Sequence, residues 1–189
     1  MAIWQIDPSH SSAEFAVKHL MISTVKGRFS DLSGTVNYDP TNLAASSVNV
    51  QIGIASVDTH DEKRDAHLRS GDFFDSEAFP VMTFASTAVK PVDSDTFNVV
   101  GDLTIKGVTH EVTLKAELGG IGTSPWGSEV AAFSATTSID RKDFGLNWNV
   151  GLEAGGVLVG DKVKLSLELE AIKQVEATVE TEAAEPVAV

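Results

Sequence analysis

Cysteine is absent from the 189 residues, which removes disulfides, a thiol nucleophile and any zinc or iron–sulfur site built on thiolates. Basic residues are scarce: 14 Lys and Arg stand against 27 Asp and Glu, a formal net charge of −13. A protein that grips a phosphate backbone needs clustered cations to displace counterions. The balance therefore argues against nucleic acid, and against an anionic membrane surface as well. No apolar run approaches the roughly 20 residues of a spanning helix, so no membrane span is expected. The N-terminus, Met1-Ala2-Ile3-Trp4-Gln5-Ile6-Asp7, lacks the basic region and the apolar stretch of about 7–15 residues that mark a signal peptide, and the expectation is a cytoplasmic protein.

What is present fits one globular domain, since domains usually run to about 100–200 residues. The last fifteen residues hold Glu176, Glu180, Glu182 and Glu185 with no Lys or Arg, and the body before them keeps the remaining −9 of the charge. Without aromatics or a sustained amphipathic pattern, residues 174–189 read as a disordered acidic tail, which leaves 1–173 as the folded domain.

Along that domain the dominant signal is period two, as in strands with one buried face. Val163, Leu165, Leu167, Leu169 and Ala171 alternate with polar residues. So do Val112, Leu114, Ala116 and Leu118, and likewise Val48, Val50, Ile52 and Ile54. Further strands are expected over 3–7, 12–20, 24–38 with a break near Ser33-Gly34, 81–89, 96–105 and 129–139. Turn chemistry joins them, most clearly at Lys106-Gly107. Many short strands without alternating long helices predict an all-β antiparallel sandwich or barrel. The charged stretch 58–76 opens with the cap-type residues Asp58 and Thr59. It predicts a short helix over 61–68, ended by Gly71. A second helical turn is expected at 141–144, closed by Gly145.

A barrel of about eight strands has an interior wide enough either for packed side chains or for one small ligand. The 9 Phe, 3 Trp and 1 Tyr sit mainly near strand ends and loops (Phe73, Phe74, Phe79, Trp126, Phe144, Trp148), so the strands offer small apolar walls. Catalytic signals are sparse. None of His10, His19, His60, His67 and His110 stands in a His-x-x-x-His arrangement or beside a nucleophile elbow. His19 and His110 share the phase of apolar neighbours and read as satisfied, half-buried histidines. Asp65 and His67, two apart on a helix, point different ways and form no dyad. Arg64 reads as an ion-pair partner of Asp61 or Asp65, and Gly119-Gly120-Ile121-Gly122 as a loop. No metal site and no cofactor are expected.

An ordered set of motifs runs from about residue 4 to 172. It begins with Trp4-x-Ile6-Asp7-Pro8-x-His10-Ser11, Phe15-x-Val17-x-His19 and Gly27-x-Phe29. It continues through Arg64-Asp65-x-His67-Leu68-x-Ser70-x-Asp72-Phe73-Phe74-Asp75, Phe79-Pro80 and Phe84-x-Ser86. It closes with Gly101-x-Leu103-Thr104-Ile105-Lys106-Gly107, Asp140-Arg141-x-x-Phe144-Gly145 and Val159-x-Asp161-x-Val163. In these residues the chain resembles the YceI-like family. The resemblance implies a lipocalin-like extended antiparallel β-barrel of about eight strands with one or two short helices. It also implies a long apolar ligand in the interior, a polyisoprenoid or isoprenoid-quinone-like lipid, and homodimers. Many members are periplasmic, and this chain departs from them in showing no leader.

Each buried CH₂ contributes roughly 0.8 kcal/mol, so an isoprenoid tail can be held by burial alone. Strand phase then proposes the lining: Phe15, Val17 and His19; Phe29; Val48, Val50 and Ile52; Met82 and Phe84; Leu103; Val112 and Leu114; Val163 and Leu165; with Met21 as an adaptable addition. An acidic exterior favours a neutral head group unless Lys18, Arg28 or Arg64 gather at the mouth. The function expected is a non-catalytic lipid binder for storage, transport or sequestration. The alternatives are an enzyme using His19 or His67 on such a lipid, and a closed-core stress-response interaction module.

Overall fold

The computed structural model describes residues 2–153 and 155–174, and the acidic tail, from 175 on, lies outside the described residues. The strands are β1 (Ala2–Ile6), β2 (Ser12–His19), β3 (Ser23–Phe29), β4 (Leu32–Tyr38), β5 (Ser47–Gly53), β6 (Val57–Asp58), β7 (Val81–Pro91), β8 (Thr96–Ile105), β9 (Val108–Thr123), β10 (Glu129–Asp140) and β11 (Val159–Lys173), with one α-helix, α1 (Glu62–Arg69). All described pairings between these strands are antiparallel. β11 offers one edge to β10 and divides the other between β2 and β1. β1–β2, β3–β4 and β5–β6 thus behave as three strands bent in the middle. With β7 to β11 they make eight strands, each bonded to its neighbours in sequence and the last closing on the first. Closure removes the free edges that an open sheet of this size would expose.

The bends lie side by side and are stitched by short polar side chains. Asp7 accepts from the Ser9 N–H at the turn Pro8–His10. Ser56 Oγ accepts from the N–H groups of Ser30 and Asp31 at 3.2 and 3.0 Å and donates to the Gly53 carbonyl at 2.7 Å. The break in the 24–38 stretch therefore falls at Ser30-Asp31 rather than at Ser33-Gly34. Gly34 serves another need: a Cβ there would lie 2.1 Å from the Asn49 carbonyl oxygen, so only glycine lets β4 approach β5 this closely.

Alternation decides most of the rest. In β11 the residues Leu169 and Ala171 are buried while Lys162, Lys164 and Glu168 are exposed, the one-wet-face pattern of the sequence. The Lys106-Gly107 hairpin forms as expected, with φ of 50° and 74° at its two residues. The glycine run 119–122 is not a loop. It extends β9, where Ile121 pairs with Ala131 and Gly120 with Ala132, and a bulge absorbs Gly119. A run with so little side chain carries no alternation to read. α1 begins one residue later than expected, capped by Asp61, whose side chain accepts from the Lys63 and Arg64 N–H groups; Asp58 and Thr59 are not the caps. It ends on Ser70 in extended conformation rather than on Gly71. The turn at Arg141–Phe144 closes on Gly145 at φ 74°.

Candidate functional site

The barrel is not packed shut. An interior cavity of about 570 Å³ runs through it, within the range of about 300–1,000 Å³ usual for small-molecule sites. Phe15, Val17, His19, Phe29, Val48, Val50, Ile52, Met82, Phe84, Leu103, Val112, Leu114, Val163 and Leu165 all face it. Met21 does not. β2 ends at His19, and the chain turns through Leu20 and Met21 at φ 52° and 61°, which breaks the phase and leaves Met21 exposed. The walls also carry more aromatic surface than strand composition suggested, because Phe97 and Phe133 project inward beside Phe15, Phe29 and Phe84. Phe97, Val99, Leu167 and Leu169 share the alternation of residues already named, so the same signal reaches them.

The far end is closed where Tyr38 and Phe133 meet edge to face at 5.9 Å. Trp4, Ala131 and Ala171 are buried in the core with them. Burial, aided by Asp95, raises the Tyr38 hydroxyl above its ordinary pKa. The opposite end carries most of the charged side chains. Lys18 and His19 from β2, Leu158 before β11, the cap residue Asp61, and Lys63, Arg64 and His67 from α1 line it. Arg64 does not pair with Asp61 or Asp65 through its guanidinium; it donates to Thr59 Oγ1 and to the Thr59 carbonyl, both at 2.7 Å. Asp65 is buried and accepts from the Thr59 N–H and hydroxyl. This network holds the start of α1 at the barrel rim. Arg28, on the outer face, is engaged by Asp58 at 3.3 Å.

Across the mouth from α1 lie the irregular stretches 146–153 and 155–158. Trp148 meets His67 edge-on at 4.6 Å and Phe73 at 5.3 Å, and Phe73 meets His67 at 5.0 Å. These stretches are tied down by Arg141, 3% exposed, whose guanidinium donates to the carbonyls of Leu146, Trp148, Val159 and Gly160. Burial lowers the Arg141 pKa, against the pull of Asp161 and Asp140. Neither role could be read from the sequence, where Arg141 and Trp148 appeared only as a motif residue and a loop aromatic. The contacts that define them come from parts of the chain joined only by folding.

Most of the titratable groups lining the cavity stand at its mouth, Tyr38 and Glu14 being the exceptions. His67 Nε2 lies 2.8 Å from Asp72 Oδ2. His19 faces the cavity, and no hydrogen bond to its ring is found among the described residues. His110 is exposed rather than half-buried; its Nε2 is 3.0 Å from the Asp143 carbonyl, and its ring meets Phe144. Outside the cavity, Asp7, His10 and Glu170 bring ligand-type atoms within 4.8 Å of one another. They already satisfy each other: His10 Nδ1 is 3.0 Å from Asp7 Oδ2 and 3.7 Å from Glu170 Oε1. Bonds from the Ser9 hydroxyl, then His10, then the Ser9 N–H hold Asp7 down to about 2, and Asp7 first and Glu170 second raise His10 above its ordinary value. The cavity suits holding an apolar body by burial, with most of its charged side chains gathered at one end and the polar groups of Asn37, Tyr38, Ser46 and Ser47 toward the other.

The YceI-like domain model matches residues 4–171. A UPF0312 protein of Staphylococcus aureus (strain MSSA476) is 40% identical over 171 residues, 90% of this chain and 97% of that protein. The crystal structure of Burkholderia cenocepacia BcnA superposes with a TM-score of 0.76 at 28% identity, covering 87% of this chain and 98% of BcnA. A polyisoprenoid binding domain from Saccharophagus degradans, implicated in plant cell wall breakdown, shares the fold with a TM-score of 0.71 at 15% identity, covering 92% of this chain and all of that domain.

Proposed function

Because the chain belongs to the YceI-like domain family, we propose that its barrel is a carrier that holds one long apolar isoprenoid-type lipid, a polyisoprenoid or an isoprenoid quinone, without acting on it chemically. The observation that carries this reading is the cavity: about 570 Å³ of interior space walled mainly by aliphatic and aromatic side chains, with most of its charged groups at one end. Empty apolar space forgoes packing contacts, and a chain that fills it gains roughly 0.8 kcal/mol per CH₂ removed from water. The Saccharophagus degradans domain, described as polyisoprenoid binding, supports the same ligand class. Storage, transport or sequestration would each use such a site, and the open interior weighs against a closed-core module.

Thermal unfolding with and without added isoprenoid tests the reading, because a ligand that binds only the folded state raises the melting temperature with concentration. The expected result is a rise with isoprenoid alcohols or quinones, abolished by Leu114→Trp, which fills the cavity from β9. Unchanged melting across all isoprenoids sinks the proposal. The close pairing of His67 with Asp72 is the one feature favouring an enzyme that works on the lipid head. Turnover surviving in the double variant His19→Ala, His67→Ala removes that reading. The homodimer is proposed with the carrier and is checked by sedimentation.

A further inference from the structure

The β2–β3 hairpin ends in a turn that breaks its local rules. The Ile22 N–H donates to the His19 carbonyl at 3.2 Å, and both central residues have positive φ, 52° at Leu20 and 61° at Met21. Two successive turn residues at positive φ call for Asn-Gly or similar residues. Here the turn presents Leu20, Met21 and Ile22 to solvent at 39%, 56% and 82% exposure. Local strain and exposed apolar side chains at one spot are features that folding alone does not reward.

The turn stands at the cavity mouth. The Leu20 N–H donates to the carbonyl of Leu158, a lining residue, and the Leu158 N–H donates to that of Val150, itself 47% exposed. Below the turn the outer face is basic. Residues 15–30 hold Lys18, Lys26 and Arg28 with no Asp or Glu. Ala16 stands between Lys26 of β3 and Lys164 of β11, so both lysines share its outer face, and Lys162 lies one step along β11 on the same side. None of Lys18, Lys26, Lys162 and Lys164 forms an ion pair among the described residues. The carboxylates nearby are Asp58, which already holds Arg28, Glu14 opposite Arg28 and Ser166, Asp140 opposite Lys162, Asp161, already held by Lys142, and Glu153 near the mouth.

We propose that the Leu20-Met21-Ile22 turn and the lysine face beside it dock on a bilayer bearing anionic head groups, with the cavity mouth turned toward the lipid. The inference rests on the carrier reading, because it names the surface from which an apolar chain enters the barrel without crossing water. Apolar side chains inserted at the head-group boundary and lysines beside them are the two terms of interfacial binding. The net charge of −13 hides this asymmetry. A second copy is the poorer occupant, since a two-fold contact through this face sets its lysines against each other.

The test is flotation of the full chain with vesicles of phosphatidylcholine and phosphatidylglycerol in equal parts, against vesicles of phosphatidylcholine alone. The wild-type chain is expected to float with the anionic vesicles and to leave them as salt rises. Lys26→Glu with Lys164→Glu should weaken binding by about thirty-fold or more, the worth of two lysines near such a surface. Leu20→Asn, Met21→Gly and Ile22→Thr together should weaken it by about ten-fold or more while melting no lower than the parent, because Asn-Gly suits the turn. A wild-type chain that stays off anionic vesicles, or variants that bind as well as the parent, overturn the proposal. So does loss of a dimer in the turn variant without any vesicle binding by the parent. Lipid extracted from the same preparations reads the carrier function separately: lipid-loaded protein that ignores vesicles defeats only the docking.

Discussion

Asp7 and His10 show how much a single turn can couple to pH. Asp7, held down to about 2 from an ordinary 3.8, contributes stability that is present above that ordinary value and lost as pH falls toward 2. His10, raised above its ordinary 6.5, contributes stability that is whole below 6.5 and lost as pH climbs through the raised value. The contact therefore helps most in mildly acidic solution. Replacing His10 with Gln should lower the melting temperature by a few degrees at most, with the gap to wild type closing as pH rises. A gap that stays constant from acid to alkaline pH would show that the ion pair is not its source. Arg141 is the opposite case, buried and committed to four carbonyls. Arg141→Leu should cost about 3 kcal/mol or more, because those acceptors lose charged donors. Denaturant unfolding checks this, and a loss under about 1 kcal/mol would mean that water replaces the guanidinium readily.

At the scale of elements, the helix at the rim is the most exposed to test. α1 hangs on its Asp61 cap and on the network of Thr59, Arg64 and Asp65. Asp61→Ala should remove about 1 kcal/mol and speed exchange of bound lipid, as read by fluorescence of an isoprenoid probe; unchanged exchange would place the entry elsewhere. The strands were the most legible elements because alternation is local and β11, β9 and β5 carry it cleanly. The bent strands were less so, since the bend at Ser30-Asp31 is made by Ser56, which lies far along the chain. Met21, added for its adaptable side chain rather than by phase, is not among the residues facing the cavity, because after His19 the chain turns with positive φ at two non-glycine residues. Gly119 to Gly122 offered Ile121 as their one side chain, too little to show alternation, and only pairing with β10 makes them a strand.

For the whole molecule, closure of eight consecutive strands on themselves leaves an apolar interior and a charged exterior whose distribution matters more than its sum. The acidic excess gave no hint of the lysine face, which arises only when β2, β3 and β11 lie side by side. Lining residues were legible in outline because inward-facing positions of a barrel strand follow its period. That the interior is open space rather than packed core was not legible, since both use the same residue types. A chain ending at Gln174 is expected to keep the wild-type melting temperature and lipid content, measured on the purified product. A large fall in either would assign the tail a part in the fold or the site. Whether this barrel carries an isoprenoid-type lipid is read off by native mass spectrometry of gently purified protein. A carrier shows an adduct of isoprenoid mass that is released on denaturation and missing from Leu114→Trp. A wild-type spectrum of bare chain, unchanged after incubation with isoprenoids, would contradict the carrier reading.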